Sequence, residues 1–285
     1  MIGGCFDFLS KVLSLFSWWY SLGMDVAHVR DDLLQEQVAL DTIVSNLSEE
    51  QWGLPTPSPR WSIADQIGHL AYFDESATVA ITDPDKFTSL LHELLETQDA
   101  SSAEDFSLAA YREMGAEELL SSWRQGRENL ALASETLSND DRVIWYGPSM
   151  GSKSFLTARL MEVWAHGQDI VDTLNIERSS TDRLRHIAQL GFITRKWAYI
   201  NRGLTPNEEP IYVSLTSPSG EKWEFGSPED SNSITGSALD FCLVVTQRRH
   251  MNDTELTFSG EAAVEWFSIA QAFAGPPSDG PKEST

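Results

Sequence analysis

The chain has 285 residues, of which 43 are acidic and 20 basic, and its formal net charge is -23. This charge repels nucleic acids and anionic membrane surfaces, so neither is expected as a partner. Hydrophobic residues make up 41% of the sequence, a share typical of a soluble globular protein, and the length suffices for two domains. Cys5 and Cys242 match no metal-ligand spacing, which favours a reducing, cytoplasmic location. No sequence signal specifies an oligomeric state.

The first 23 residues differ in character from the rest of the chain. Their apolar run, VLSLFSWWYSLG, is shorter than the roughly 20 residues of a membrane span, and Asp7 and Lys11 interrupt any longer window. A secretory signal would begin with positive charge, whereas the first charged residue here is Asp7. Two interpretations remain open for residues 1 to 23: a docking helix, or upstream sequence before a natural start at Met24. The second is favoured.

Residues 24 to 178 show helical periodicity throughout. The first helix is predicted from Asp25 to about residue 46, and the second is predicted to begin after the N-cap Ser62, with Asp65 three residues on. A weaker, acidic helical pattern covers residues 83 to 115 and precedes a third strong helix. The loop NDDRVIWYGPSMGSKS then leads into a fourth helix, and nothing in this half indicates a strand. The pattern predicts a four-helix bundle.

The second half, residues 179 to 275, is predicted to be α+β. One helix is expected over DRLRHIAQLGFITRKWAYI, and the alternation in EPIYVSLTSPSGEKWEFG predicts a β-hairpin. A helix in SALDFCLVVTQRRH, a short strand in ELTFSG and a last helix in EAAVEWFSIAQAFAG follow. Residues 276 to 285 have little apolar content and are expected to be a disordered tail.

The fourth predicted helix carries a polar stripe beside its apolar face. Arg159, Glu162, His166, Asp169 and Thr173 fall on this stripe. A solvated helix face would account for it without any chemistry. Glu162 and His166, however, stand one turn apart, so a carboxylate oxygen and an imidazole nitrogen can reach one ion.

A third ligand is available on the second helix, where His69 stands among apolar residues. Alone, His69 is more often a buried core histidine than a ligand. Together with Glu162 and His166 it gives two imidazoles and one carboxylate, a donor set that leaves coordination positions open, as catalytic sites require.

The stretches RWSIADQIGHLAYFDE and TARLMEVWAHGQDI, and the order of helices around them, resemble the DinB superfamily, in particular its mycothiol-dependent maleylpyruvate isomerase branch. The likeness is strongest to a subgroup of metal-binding proteins without an assigned reaction, through WYGPSM, DRLRHIA, LDFCLVVTQRRH and IAQAFAGPP, and it covers about residues 24 to 277. Two departures stand out: residues 1 to 23 have no counterpart, and Arg60 stands where a glycine is common.

The resemblance implies roles for particular residues. His69, Glu162 and His166 would bind a divalent metal, with zinc expected, and the second half would be a small α+β domain of sterol-carrier type. An arginine of the C-terminal domain contributes near the active site in that branch, which makes Arg249 a catalytic candidate for binding a substrate carboxylate. Asp169 is the second catalytic candidate, either as a base or as an acceptor that orients a ligand; a solvated acid is the alternative.

The leading functional hypothesis is a metal-dependent enzyme that acts on a small-molecule substrate. By resemblance the reaction is a thiol-assisted isomerisation or transfer on a small organic acid or natural-product intermediate, with a low-molecular-weight thiol such as mycothiol as cofactor. One alternative is a lyase, cyclase or hydrolase of secondary metabolism that uses the metal without a thiol. Another is a metal-stabilised binding module without catalysis. Phosphate-loop, dinucleotide-binding and G-x-S-x-G motifs are missing from the sequence.

Overall fold

The computed structural model describes residues 25–97, 103–146 and 149–284, which divide into two compact units, residues 25–177 and 178–284. The predictions for residues 1 to 23 lie outside these ranges. Within them, no helix has both the length and the apolar content needed to cross a membrane.

The first unit is built from helices joined by loops. They are α1 (Val26–Val44), α2 (Glu49–Trp52), α3 (Ile63–Thr82), α4 (Pro84–Thr97), α5 (Ala103–Arg112), α6 (Ala116–Ser134) and α7 (Ser152–Leu174). The long helices α1, α3, α6 and α7 form the bundle, in which α3 packs mainly against α6, and α1 against α7. The predicted helical bundle is therefore confirmed.

The start of α3 is held by local hydrogen bonds. The Ser62 hydroxyl accepts from the Asp65 amide, and the Asp65 carboxylate accepts from the Ser62 amide, which completes a capping box. Just before it, the Trp61 amide donates to the Ser58 carbonyl at 3.1 Å, and this turn places Arg60 at φ 68°. The left-handed region favours glycine, which explains why a glycine is common at this position and means that Arg60 adopts a strained backbone conformation.

The prediction that the first half contains no strand is wrong in one short segment. Two-residue strands, β1 (Arg142–Val143) and β2 (Met150–Gly151), pair in antiparallel fashion before α7. The loop closes on itself because the amide of Ser152 donates to the Asp141 carbonyl and its hydroxyl to the Ser138 carbonyl. Two paired residues are too few for an alternating apolar pattern.

The second unit combines helices with one mixed sheet. Its elements are α8 (Leu184–Ile193), α9 (Arg195–Asn201), β3 (Ile211–Thr216), β4 (Lys222–Phe225), β5 (Asn232–Ser237), α10 (Ala238–Val245), β6 (Thr257–Ser259) and α11 (Glu261–Ser268). The strand order is β4-β3-β5-β6, with β3 and β5 parallel and the outer pairs antiparallel. The α+β fold class, the β3–β4 hairpin and the short strand β6 are confirmed.

The second unit differs from the sequence prediction in its third strand and its first helix. Strand β5 was missed because its sequence, NSITGS, has one large apolar residue, Ile234. The single helix expected between residues 182 and 200 divides at Thr194, whose hydroxyl donates to the Leu190 and Gly191 carbonyls and competes with the helical pattern.

Residues 276 to 284, expected to be disordered, contain neither helix nor strand but hydrogen-bond to the rest of the second unit. The Ser278 carbonyl accepts from Arg202 and Gln247, and the Ser284 amide donates to Asp253. Polar contacts, rather than burial of apolar surface, hold this segment.

Helices α8 and α10 pack closely in the core of the second unit. Gly191 leaves room for Val245, since a Cβ atom at Gly191 would lie 2.8 Å from a Val245 methyl group. Cys242 is fully buried, and its thiol donates to the Leu184 carbonyl at 3.5 Å.

Candidate metal centre

The structure brings His69, Glu162 and His166 together inside the bundle. One ligand atom from each residue can be chosen so that all lie within 4.8 Å of one another. Helix α7 presents Glu162 and His166 one turn apart, with 3.1 Å between Glu162 Oε2 and His166 Nε2. Helix α3 supplies His69, whose Nε2 lies 3.9 Å from the same carboxylate oxygen. The three predicted ligands therefore converge from two helices.

The cluster is sheltered but reachable from solvent. The side-chain exposed fractions are 18% for His69, 24% for Glu162 and 9% for His166. Of the three side chains, Glu162 is therefore the most open to solvent and His166 the best shielded.

The protonation of two of these side chains suits metal binding. Burial raises the pKa of the Glu162 carboxyl, but hydrogen bonds from His166 and His69 outweigh that effect and hold it well below its usual range. Burial, followed by the neighbouring charge of His166, lowers the pKa of His69 to about 4. At neutral pH Glu162 is thus ionised and His69 neutral, the forms in which they bind metals.

Gln66, one turn before His69 on α3, sets the orientation of His166. The Gln66 side-chain amide donates to Thr56 Oγ1 at 2.8 Å and to Asp169 Oδ2 at 3.4 Å. Because a carboxylate only accepts, the amide nitrogen must face Asp169 and the amide oxygen must face His166 Nδ1, which it contacts. His166 Nδ1 therefore donates to Gln66, and Nε2, which lies 3.1 Å from Glu162 Oε2, is the ring nitrogen left for a metal ion.

Asp169 is buried, with 3% exposure, and contacts the amide nitrogen of Gln66, whose amide oxygen contacts His166. It accepts a hydrogen bond of 2.9 Å from Ser58 Oγ in the turn before α3. These contacts link Asp169 to His166 through Gln66. The catalytic assignment of Asp169 stays a prediction.

Aromatic rings enclose the two histidines. Trp61 is stacked on His166 at 5.7 Å between ring centroids and lies 4.9 Å from His69, while Phe73 lies 4.6 Å from His69 on α3. Tyr146, from the loop before α7, contacts Phe73 at 5.5 Å between ring centroids. These rings shield the two imidazoles on the sides that they cover.

A divalent metal fits these residues. His69 Nδ1 is buried and has no hydrogen-bond partner within the described ranges. The other ring nitrogen, Nε2, lies 3.9 Å from the ionised Glu162 carboxylate. Two imidazoles and a carboxylate are a donor set common for catalytic zinc.

Two further points concern residues outside this cluster. Arg249, the other catalytic candidate, belongs to the second unit, where its Nη1 donates to the Arg248 carbonyl; its place in the site stays a prediction. Gln66 and Ser58 were missed by the sequence analysis. The position of Gln66 three residues before His69, on the same helix face, was the available signal.

Comparisons with known proteins agree with this geometry. The family model for the mycothiol maleylpyruvate isomerase N-terminal domain matches residues 33–171, a range that contains all three clustered side chains. An uncharacterised protein of Mycobacterium tuberculosis, found in two strains, is 43% identical over 252 residues, which cover 87% of this chain and 96% of that protein.

Two crystal structures of a mycothiol-dependent maleylpyruvate isomerase, one of a histidine-to-alanine mutant, have similar folds. Their TM-scores are 0.57 and 0.54, at 16% identity, and the alignments cover 83% of this chain and 93% of theirs. At that identity the likeness concerns the fold, while the family model carries the assignment. The chain therefore belongs to the maleylpyruvate isomerase-like branch of the DinB superfamily.

Proposed function

We propose that this chain is an enzyme in which His69, Glu162 and His166 hold a divalent metal ion, with zinc the expected ion. In this proposal it uses a low-molecular-weight thiol, such as mycothiol, to isomerise or modify a small organic acid or natural-product intermediate. The observation that carries the proposal is that the three ligand atoms lie within 4.8 Å of one another. One of the two imidazoles, that of His166, is also oriented by Gln66.

A divalent ion at this position would supply Lewis acidity and make a nearby thiol easier to deprotonate. Residues of the chain would perform the other roles in the site. Glu162 contributes negative charge that offsets part of the charge of the ion. Gln66 holds the proton on His166 Nδ1, and Trp61 and Phe73 exclude bulk water from one side of the site.

The thiol part of the proposal is supported by family membership, since the solved structures with this fold belong to an enzyme described as mycothiol-dependent. The chain's own described cysteine, Cys242, cannot take that role because it is fully buried in the second unit. Within the described ranges, then, no cysteine can serve as the reacting thiol, and the proposal assigns that role to an added molecule.

Metal analysis tests the first part of the proposal. Protein purified without chelator and then reconstituted with zinc is expected to hold about one equivalent per chain. His166→Ala should lose the metal, whereas His92→Ala, which removes an exposed histidine of α4, should keep it. If the unaltered protein binds no transition metal, or if His166→Ala retains a full equivalent, the metal-site proposal is wrong.

An activity assay tests the second part. With maleylpyruvate as probe substrate, we expect turnover by the zinc-loaded protein only when mycothiol is added, and none by His166→Ala. Turnover without any thiol would instead support a metal-dependent reaction that needs no thiol.

A further inference from the structure

Arg159 is a buried cation one turn before Glu162 on α7. It is 4% exposed, and its Nη2 donates to Asp74 Oδ1 at 3.2 Å. Asp74 is fully buried, and its other carboxylate oxygen accepts from Gln37 Nε2 at 3.1 Å. Asp74, itself held by Gln37, thus binds the guanidinium from one side.

Most of the donors of this guanidinium are unused. An arginine has five N–H groups, and among the described residues Arg159 makes the single hydrogen bond to Asp74. Its Nε is buried and has no hydrogen-bond partner in the described part of the chain. Unsatisfied buried donors are costly, so a purely structural arginine is expected to be better paired.

Arg127, in the same bundle, shows what a structural arginine looks like here. Its Nη1 donates to the Gln37 carbonyl at 2.8 Å, its Nη2 pairs with Asp41, and its guanidinium lies 4.4 Å from the centre of the Trp123 ring. Compared with Arg127, the Arg159 group is held more loosely and keeps more donors for another partner.

Arg159 lies on the same side of α7 as the candidate metal centre. Its Cζ is 5.6 Å from the centroid of the Phe73 ring, and that ring is 4.6 Å from His69. After burial and the charge of His166, the positive charge of Arg159 also contributes to the lowered pKa of His69. A small molecule bound at the three clustered ligands would therefore lie near the guanidinium.

We propose that Arg159 binds a carboxylate group of the substrate beside the metal centre. A carboxylate accepts two parallel N–H bonds from one edge of a guanidinium, which would satisfy the unused donors. The inference rests on the proposed function and narrows it, because it requires an acid as substrate. It also gives a chain of net charge -23 a local cation for attracting an anionic ligand.

Calorimetric titration with maleate, with and without bound zinc, tests this assignment. Arg159→Gln is expected to weaken maleate binding by about tenfold or more, because a charge-assisted pair of hydrogen bonds is lost. The matched control Arg127→Gln should bind maleate as the unaltered protein does. Dimethyl maleate, which lacks the charges, should show no dependence on Arg159.

The variants must also remain folded. Removing Arg159 leaves Asp74 buried with one fewer partner, so Arg159→Gln is accompanied by the double variant Arg159→Gln/Asp74→Asn, which leaves no unpaired charge. Both variants are expected to keep their zinc and their circular-dichroism spectrum. If the single variant unfolds, maleate binding by the double variant decides whether Arg159 binds the carboxylate.

Three results would overturn the inference. Maleate could fail to bind the unaltered protein, its binding could depend on zinc and not on Arg159, or it could be lost in Arg249→Gln and kept in Arg159→Gln. Failure of the proposed function is a separate result. If the protein binds no zinc, the Arg159 dependence measured in metal-free protein still decides the role of this residue.

Discussion

Gln66 decides which nitrogen of His166 faces Glu162. Its amide group is itself oriented by Asp169 and Thr56, so a series of hydrogen bonds leads from these two side chains through Gln66 to the imidazole. Ser58 extends the series to the turn that precedes α3. A ligand oriented in this way loses little rotational freedom when it binds an ion.

Replacing Gln66 with methionine tests this positioning role. Gln66→Met keeps the approximate size of the side chain but removes the acceptor for His166 Nδ1. We expect zinc affinity to fall about 10-fold to 100-fold while the fold is retained. Competition with a chromophoric chelator measures the affinity, and Gln125→Met, at an exposed position on α6, is the control. Equal affinities in the two variants would contradict the role of Gln66.

At this scale the sequence predicted some partners better than others. Glu162 and His166 are readable because both lie on one helix, where spacing alone fixes their proximity. The contact of Gln66 with His166 depends on the alignment of α3 against α7, which no local pattern specifies. His69 was proposed from its place on a neighbouring predicted helix and then supported by the family motif, since an isolated histidine among apolar residues has no distinguishing spacing.

Helix α3 approaches α5 closely at Gly68, the neighbour of His69. A Cβ atom at Gly68 would lie 2.9 Å from Tyr111 Cβ and 3.4 Å from a Leu108 methyl group. The corresponding position at Gly126 on α6 has only ordinary contacts, of which the closest is 3.7 Å. The absence of a side chain therefore matters at one helix contact and not at the other.

Alanine at these two glycines should have opposite effects. Gly68→Ala forces α5 away from α3, and we expect the free energy of unfolding to fall by about 1 to 3 kcal/mol. Gly126→Ala is expected to leave it unchanged or raise it by up to about 1 kcal/mol, because alanine favours a helix. Urea unfolding of both variants makes the comparison. A Gly68→Ala protein as stable as the unaltered chain would argue against the close α3–α5 packing.

Ion pairs connect α1 to α6. Asp41 pairs with Arg124 at 2.6 Å and with Arg127, and the hydrogen bond from Arg124, with the charges of both arginines, holds the pKa of Asp41 below its usual range. A carboxyl group with a lowered pKa in the folded state stabilises the fold above its ordinary value of 3.8. That stabilisation is lost as the pH falls through the folded-state pKa.

Asp41→Asn is therefore expected to destabilise the protein by about 1 kcal/mol near neutral pH, a value that allows for partial solvent screening. The difference from the unaltered chain should disappear in acid, where both side chains are uncharged. Urea unfolding over a pH series measures this difference in the free energy of unfolding, and Asp140→Asn, which changes an exposed aspartate, is the control. A difference that does not depend on pH would mean that packing, and not charge, accounts for the effect.

Among the elements, those with strong periodicity and clear caps were predicted well. Helix α3, with its Ser62 capping box, began where expected. Strand β5 was missed because its formation depends on pairing with β3 and β6 and not on its own composition. The division at Thr194 likewise arises from a side-chain hydrogen bond that competes with the backbone pattern.

For the whole molecule, the proposed site predicts that metal binding and folding are linked. His69 and Glu162 are separated by most of the bundle sequence, so an ion held by both would favour the folded chain over the unfolded one. Excess zinc at about 100 times its dissociation constant should add roughly 2.7 kcal/mol to the free energy of unfolding.

Thermal unfolding with and without zinc measures this linkage. The midpoint should rise in the unaltered protein and stay constant in His166→Ala. A rise of equal size in both proteins would indicate that zinc binds elsewhere, for example among the many surface carboxylates of this acidic chain.

The burial of Cys242 has a practical consequence for studying a thiol-dependent reaction. Burial raises the pKa of this thiol well above its ordinary value, so little of it is in the reactive thiolate form. It should resist alkylation and exchange with disulfides while the second unit is folded. In a Cys5→Ser protein, Cys242 would be the sole remaining cysteine. Any thiol that reacts during turnover could then be attributed to the added cofactor, and unfolding could be followed as the appearance of a titratable thiol.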